Sequence, residues 1–113
     1  MVDPAKLNPL RRGLLEFLIL AIVSSGQVYV ADILRRLSTT DFATQEGTLY
    51  PLLSKMRREG LLDYEWQESA TGPPRKYYRL TTTGTAQLAE FRAYWVSLTN
   101  LIDELGNNNA QSH

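Results

Sequence analysis

Few side chains in this sequence have the chemistry of a catalytic or metal-binding group. The chain has no cysteine, and its one histidine is the last residue, His113. A metal site or a histidine-based catalytic triad needs several such groups. The adjacent carboxylates of Asp103 and Glu104 would point in different directions on a helix, and the seven glycines are scattered rather than gathered in a phosphate-binding loop. We therefore predict no enzymatic activity, no cofactor and no metal.

The chemistry that remains is recognition by cationic and hydroxyl groups. Leu49, Leu52, Leu53 and Met56 have the spacing of a helix with one buried face. The opposite face and its flanks then carry Thr48, Tyr50, Pro51, Ser54, Lys55 and Arg58. Hydroxyl and cationic groups of this kind can contact base edges and phosphates. We predict that this face binds double-stranded DNA, with base contacts from Thr48, Tyr50, Ser54 and Lys55 and a phosphate contact from Arg58.

A second pair of cations follows in a segment with strand periodicity. Leu62, Tyr64 and Trp66 alternate with polar residues, and residues 75–80 are rich in strand formers. The turn-rich segment 69–74 then predicts a hairpin tip, with Arg75 and Lys76 at the tip and beside the phosphates. Two simpler interpretations stay open: basic residues at the end of the third helix can offset its dipole, and cations on a strand can block edge pairing.

The elements that must position these groups are three helices and the hairpin. Apolar residues from Leu10 to Val23 cover nearly the whole surface of a first helix, which Gly26 ends. Residues 30–37 form a second helix, and the third helix should start close to Thr48, so that Pro51 falls in its first turn, and end at Gly60. Helices followed by a hairpin are typical of a winged helix-turn-helix. The predicted fold is mainly α with a small β-hairpin, and residues 1–80 form the winged-helix domain.

The C-terminal segment carries a heptad pattern. Apolar side chains are spaced 3, 4, 3, 4 and 3 residues apart at Leu88, Phe91, Trp95, Leu98, Ile102 and Leu105. We predict one long helix over residues 81–106, capped by Thr81 and Gly106, and a disordered tail at 107–113. This helix and the apolar first helix both need a second chain to cover them, which predicts a homodimer with Leu14, Leu88, Phe91, Leu98 and Leu105 at its interface.

The net charge of the chain is less informative about DNA binding than its local clusters of charge. Twelve basic and twelve acidic residues balance, whereas general nucleic-acid binders are strongly basic. Recognition of DNA would therefore depend on the clusters described above. The longest apolar run, Leu14 to Val23, is too short to span a bilayer, so we expect a cytoplasmic protein without a membrane partner.

Residues 47–62, GTLYPLLSKMRREGLL, and residues 72–84, GPPRKYYRLTTTG, resemble the signature of the PadR family of bacterial transcriptional regulators. The segment 10–34 is similar to the first two helices of that family. The single C-terminal helix resembles the short branch that includes LmrR-like multidrug sensors. The resemblance implies a homodimeric winged-helix repressor whose last helix packs against the partner's first and last helices.

The resemblance also implies a small-molecule site in the dimer cleft. Trp95 matches the aromatic residue that faces its symmetry mate there and holds planar aromatic or cationic effectors. Glu16, Phe17, Thr99 and Ile102 match other positions that line the cleft. Glu16 is the one charge inside an apolar run, so it is a candidate counter-charge for a cationic ligand. Plain interface packing is the alternative role for Trp95.

A second class of function remains open, because winged helices also serve as protein–protein interaction modules. Salt dependence separates the two classes. Binding to duplex DNA weakens linearly in log affinity against log salt when phosphates are neutralised.

Overall fold

The computed structural model describes the backbone of residues 4–111 and the side chains of residues 9–107. The elements in chain order are α1 (Pro4–Val23), β1 (Val28–Tyr29), α2 (Val30–Leu37), α3 (Glu46–Arg58), β2 (Leu62–Ser69), β3 (Gly72–Leu80) and α4 (Thr82–Gln111). This confirms the predicted fold, mainly helical with a small antiparallel sheet. None of the described helices has an apolar stretch long enough to cross a lipid bilayer.

One apolar core joins the first three helices to the sheet. The periodicity of α3 buries Leu49, Leu53 and Met56 completely, while Leu52 is half-buried. The other members of the core come from α1, α2, the sheet and the start of α4: Ile19, Leu20, Val23, Val28, Val30, Ile33, Leu37, Leu61, Leu62, Tyr78 and Leu88. The buried face of α3 is therefore fixed against the domain, and its opposite face is left in solvent.

The C-terminal end of α3 has an identifiable cause. Gly60 adopts φ 78°, a conformation that favours glycine, and the amide of Leu61 donates to the carbonyl of Met56 at 3.0 Å. Together with the bond from the Gly60 amide to the Arg57 carbonyl, this is a Schellman cap, as the predicted glycine stop required. The start differs slightly from the prediction, because α3 begins at Glu46 and Pro51 lies within the helix rather than in its first turn.

The sheet has three strands rather than the predicted two, in the order β1-β3-β2. Strand β1 consists of only Val28 and Tyr29, which pair with Tyr78 and Tyr77 of β3. Two residues are too few to show a period, so the sequence pattern missed this strand. Prolines 73 and 74 of β3 lie at a register shift in the pairing with β2 and have no paired residue there, a position where a strand tolerates proline.

The hairpin tip lies farther from the cations than predicted. Strands β2 and β3 extend to Ser69 and from Gly72, so only residues 70–71 form the turn. Arg75 and Lys76 pair with Gln67 and Trp66 within the ladder. The prediction that they sit at the tip was wrong, because the Gly-Pro-Pro segment is part of the strand. As neighbours on a strand, the two side chains also point to opposite faces of the sheet.

Helix α4 starts where predicted and continues farther. The Thr81 hydroxyl oxygen accepts a 2.9 Å hydrogen bond from the amide of Gly84, as an N-cap should. The helix continues to Gln111 rather than ending at Gly106. The predicted disorder of the tail at 107–113 falls mainly on residues whose side chains lie outside the described part of the chain.

Candidate nucleic-acid interface

The outward face of α3 carries an exposed polar stripe. Pro51, Ser54 and Arg58 recur at i, i+3 and i+7, opposite the buried face, and all three are exposed. Thr48 and Tyr50 flank the stripe and are also exposed. Within the part of the chain whose side chains are described, Arg58 forms no ion pair. Five of the residues predicted on α3 thus lie on one solvent-facing surface, which we call the α3 ridge.

One cation–aromatic contact joins a flank of α3 to the hairpin, or wing, and others lie within the wing. The Arg57 guanidinium lies 4.5 Å from the ring centre of Tyr64, and the Lys76 ammonium lies 4.2 Å from the same centre. Lys76 is also 5.2 Å from the ring of Trp66. Such contacts contribute about 0.5–1 kcal/mol each at exposed sites. Lys76, predicted as a free phosphate contact, is instead half-buried across the aromatic face of the wing.

Tyr78 lies at the junction of α3 and the wing. Burial raises the pKa of its phenol, and the neighbouring phenols of Tyr50 and Tyr64 raise it further, while Arg57 acts in the opposite direction. Tyr78 is 3% exposed, so its ring belongs to the core. The wing is therefore packed against α3 through one buried tyrosine, and the position of one element determines the position of the other.

An ion pair holds the other flank of α3 against α1. The Lys55 ammonium lies 3.3 Å from a carboxylate oxygen of Glu16, with the two side chains 49% and 24% exposed. The sequence predicted separate roles for these residues, a base contact for Lys55 and a ligand counter-charge for Glu16. In the structure each is the other's partner, because Glu16 faces α3 rather than the aromatic face of α4.

The wing and the start of α3 border a groove of about 440 Å³. Tyr50 and Glu46 contribute from α3, and Trp66, Arg75 and Lys76 from the wing. Arg75 is exposed, and its guanidinium lies 5.0 Å from the ring of Tyr29, whose hydroxyl contacts that of Tyr77. Trp66, which is 61% exposed beside this groove, was not predicted as a site residue. The alternation of apolar and polar residues along β2 was the sequence feature that could have indicated it. That pattern, however, does not distinguish an exposed aromatic residue from a packed one.

A second surface lies between α1 and α4, away from the α3 ridge. The rings of Phe17 and Phe91 stack with centres 3.8 Å apart, and the ring of Trp95 is 5.8 Å from that of Phe91. Beside this column is an open cavity of about 530 Å³, lined mainly by apolar groups, with Gln87 and Glu90 as its polar members. Of the predicted effector residues, Phe17 and Trp95 both line this cavity of the single chain.

The remaining predicted effector residues lie elsewhere in the single chain. Glu16 does not line the cavity, and the carboxylate that does is Glu90. The Thr99 hydroxyl donates to the Trp95 carbonyl at 2.9 Å, and Ile102 is 62% exposed farther along α4.

The predicted interface residues differ in how far they are buried in the single chain. Leu88 is only 7% exposed and packs in its own chain's core, so it is not available to a partner. Leu14, Phe91 and Leu98 are half-buried, whereas Leu105 is 60% exposed.

The sequence profile of the transcriptional regulator PadR-like family matches residues 19–90, from the last part of α1 through the first part of α4. The chain belongs to this family. PadR-like proteins are DNA-binding transcriptional regulators, so the predictions of transcription regulation and of no enzymatic activity are confirmed. The α3 ridge and the wing are thus candidate DNA-contacting surfaces on a known type of DNA-binding domain.

Solved structures of PadR-like proteins have the same fold. A PadR-like transcription factor from Bacteroides fragilis is 40% identical, with a TM-score of 0.78 over 91% of this chain and 99% of that one. A PadR-like transcriptional regulator from Bacillus cereus is 36% identical, with a TM-score of 0.76 over 86% and 95% of the two chains. Among curated proteins, the transcriptional regulator Rv3488 of Mycobacterium tuberculosis is 34% identical over 73% of this chain and 76% of its own length.

Proposed function

We propose that two copies of this chain bind a near-palindromic DNA operator and repress transcription from it in the cytoplasm. Each α3 would enter a major groove, with the two half-sites about 34 Å apart or a close multiple of that distance. The observation that carries the proposal is the α3 ridge: Pro51, Ser54 and Arg58 are exposed on a helix whose other face is locked into the core.

The contacts divide by chemistry. Thr48, Tyr50, Pro51 and Ser54 lie in the first part of α3, from which recognition helices reach base edges. Arg58 on α3, together with Arg75 at the groove beside the wing, would contact phosphates. The structure gives Lys55 and Lys76 partners within the chain, so we assign them a secondary role in DNA contact.

Salt-dependent binding tests this division. Arg58→Gln and Arg75→Gln should each weaken binding to all duplexes and reduce the salt slope by about 1 per chain, because each removes one phosphate contact. Arg92→Gln, the same charge change on α4, is the control and should leave the slope unchanged. Fluorescence anisotropy with a duplex selected from a random pool gives both quantities.

Two outcomes would contradict the proposal. If the wild-type protein binds no duplex even at low salt, DNA binding is refuted, and the alternative function as a protein–protein interaction module is favoured. If both wing and α3 variants bind as the wild type does, the contact assignment is wrong.

Support for the dimer comes from the second half of α4. Trp95, Val96, Leu101, Ile102 and Leu105 are between 39% and 62% exposed in the single chain. Apolar residues in that number on one exposed helix are typical of an interaction surface. A second copy would cover them with the same residues through two-fold symmetry.

The cavity beside Trp95 supports a second, regulatory function. We propose that a planar aromatic or cationic molecule binds there and shifts the spacing of the two α3 helices. Trp95 would stack on the ligand, and Glu90 rather than Glu16 would supply the negative charge, because Glu90 lines the cavity. Such a molecule acts only through its different affinity for the two arrangements of the dimer.

Fluorescence quenching by planar cationic dyes tests the ligand site. Trp95→Ala should remove the saturable quenching, whereas Trp66→Phe, which changes the other tryptophan of the chain, should retain it. Equal quenching in the wild type and in Trp95→Ala would rule out the site. Glu90→Gln should weaken the binding of cationic dyes more than the binding of neutral ones.

A further inference from the structure

The Glu16–Lys55 ion pair links a carboxylate of α1 to a cation beside the α3 ridge. Lys55 follows Ser54 directly and is 49% exposed, so its side chain is long enough and free enough to reach a phosphate next to the groove. In the structure its ammonium instead donates a 3.3 Å hydrogen bond to the Glu16 carboxylate. A phosphate and Glu16 therefore compete for the same ammonium group.

We infer that Glu16 limits non-specific DNA affinity by withholding Lys55 from the phosphates. This inference rests on the proposed DNA-binding role of α3. Glu16 is a positioning residue, since it would act through Lys55 and not by touching DNA. Phosphate contacts supply essentially all of non-specific binding, whereas base contacts supply discrimination. Holding back one phosphate contact per chain thus lowers non-specific affinity and leaves the base contacts that supply discrimination unchanged.

The other cations of α3 do not have this arrangement. Arg57 contacts the ring of Tyr64, a neutral partner that leaves its charge uncompensated. Arg58 forms no ion pair among the residues whose side chains are described. Lys55 is thus the α3 cation that the structure pairs with a carboxylate, and the pairing partner comes from a different helix. The pair is partly exposed, where ion pairs contribute little to stability, so it can open without unfolding the domain.

Glu16→Gln is the decisive variant, because it removes the charge and keeps the shape of the side chain. Affinity for a mixed-sequence duplex should rise roughly fivefold per chain at about 0.15 M salt, and the salt slope should steepen by about 0.9 per chain. Affinity for a duplex selected from a random pool should rise by no more than this, so specificity falls or stays level. Glu104→Gln on α4 makes the same charge change and should leave both quantities as in the wild type.

A double-mutant cycle separates release of Lys55 from a general loss of negative charge. Lys55→Gln alone should lower non-specific affinity only slightly, because its ammonium is already paired in the wild type and the change adds only the repulsion of the unpaired Glu16 carboxylate. The double variant Glu16→Gln/Lys55→Gln should return to the level of Lys55→Gln. Both single variants should unfold close to the wild-type temperature, since the pair is partly exposed.

Several results would overturn the inference. The first is a Glu16→Gln variant whose non-specific binding and salt slope stay at wild-type values, and the second is an equal increase in affinity when Lys55 is absent. A large loss of affinity in Lys55→Gln would show that Lys55 already contacts DNA in the wild type. Absence of all duplex binding by the wild type would instead refute the proposed function itself, and is distinguished from these results by the baseline measurement.

Discussion

The two halves of helix α4 follow one heptad pattern but lie in opposite environments. In the first half, Leu88 is 7% exposed and Phe91 stacks on Phe17 of α1. In the second half, Ile102 and Leu105 are 62% and 60% exposed. The first half is therefore covered by its own chain, while the second half is left exposed in the single chain. A periodic apolar pattern shows that a helix face is buried but does not show which chain buries it.

The largest expected effect is at the packed start of α4. A Cβ atom on Gly84 would lie 2.1 Å from the backbone carbonyl oxygen of Leu61. That carbonyl accepts a 3.1 Å hydrogen bond from the amide of Thr81, so it cannot move aside without breaking the junction between the sheet and α4. Gly84→Ala should lower the free energy of unfolding by about 3 kcal/mol or more, as measured by urea denaturation.

Gly106→Ala provides the matched control at the other end of the helix. A Cβ atom there meets nothing within 4 Å. Replacing glycine by alanine inside a helix should stabilise it by about 0.5–1 kcal/mol. If the two substitutions gave equal stabilities, the close packing that distinguishes the two halves of α4 would be disproved.

Leu88→Ala tests whether the first half of the seam belongs to the core of its own chain. Truncating a buried leucine costs about 2–5 kcal/mol, so the melting temperature should fall at every protein concentration. In Leu105→Ala, the loss should instead shrink as the protein is diluted and the dimer dissociates. A concentration-dependent loss in Leu88→Ala would place this residue at the dimer interface after all.

Ile102→Glu tests the second half. A carboxylate introduced on both chains of an apolar seam would be desolvated without a partner, and the dimer dissociation constant should rise roughly a hundredfold or more. Sedimentation velocity should then detect single chains that retain the helical circular dichroism of the wild type. Asn100→Glu adds the same charge away from the seam and should leave the dimer intact. A wild-type protein that sediments as a single chain would refute the proposed dimer directly.

The difference between the two halves of α4 also explains which features of the fold could be predicted from the sequence. Helical periodicity located α2, the buried face of α3 and the heptad seam, because each depends on local spacing that a single chain satisfies. Positions that depend on contacts across the fold were missed or misassigned. Strand β1 is two residues long and exists only through its pairing with β3. The Glu16–Lys55 pair joins residues 39 positions apart, and no local pattern indicates it.

The smallest expected effect is on the pH dependence of the unfolding free energy. It is tested by comparing a buried tyrosine with an exposed one. Burial raises the pKa of Tyr78 above the ordinary 10.0. The unfolded chain therefore releases that proton first, and the stability contribution that is complete below the ordinary pKa is lost as pH rises through the raised one. Tyr78→Phe should flatten the decline in unfolding free energy as pH rises above about 10. Tyr94→Phe removes the same hydroxyl from an α4 ring that is 64% exposed, and serves as the control. An identical decline in the wild type and in Tyr78→Phe would mean that this phenol is not desolvated at the junction of α3 and the wing.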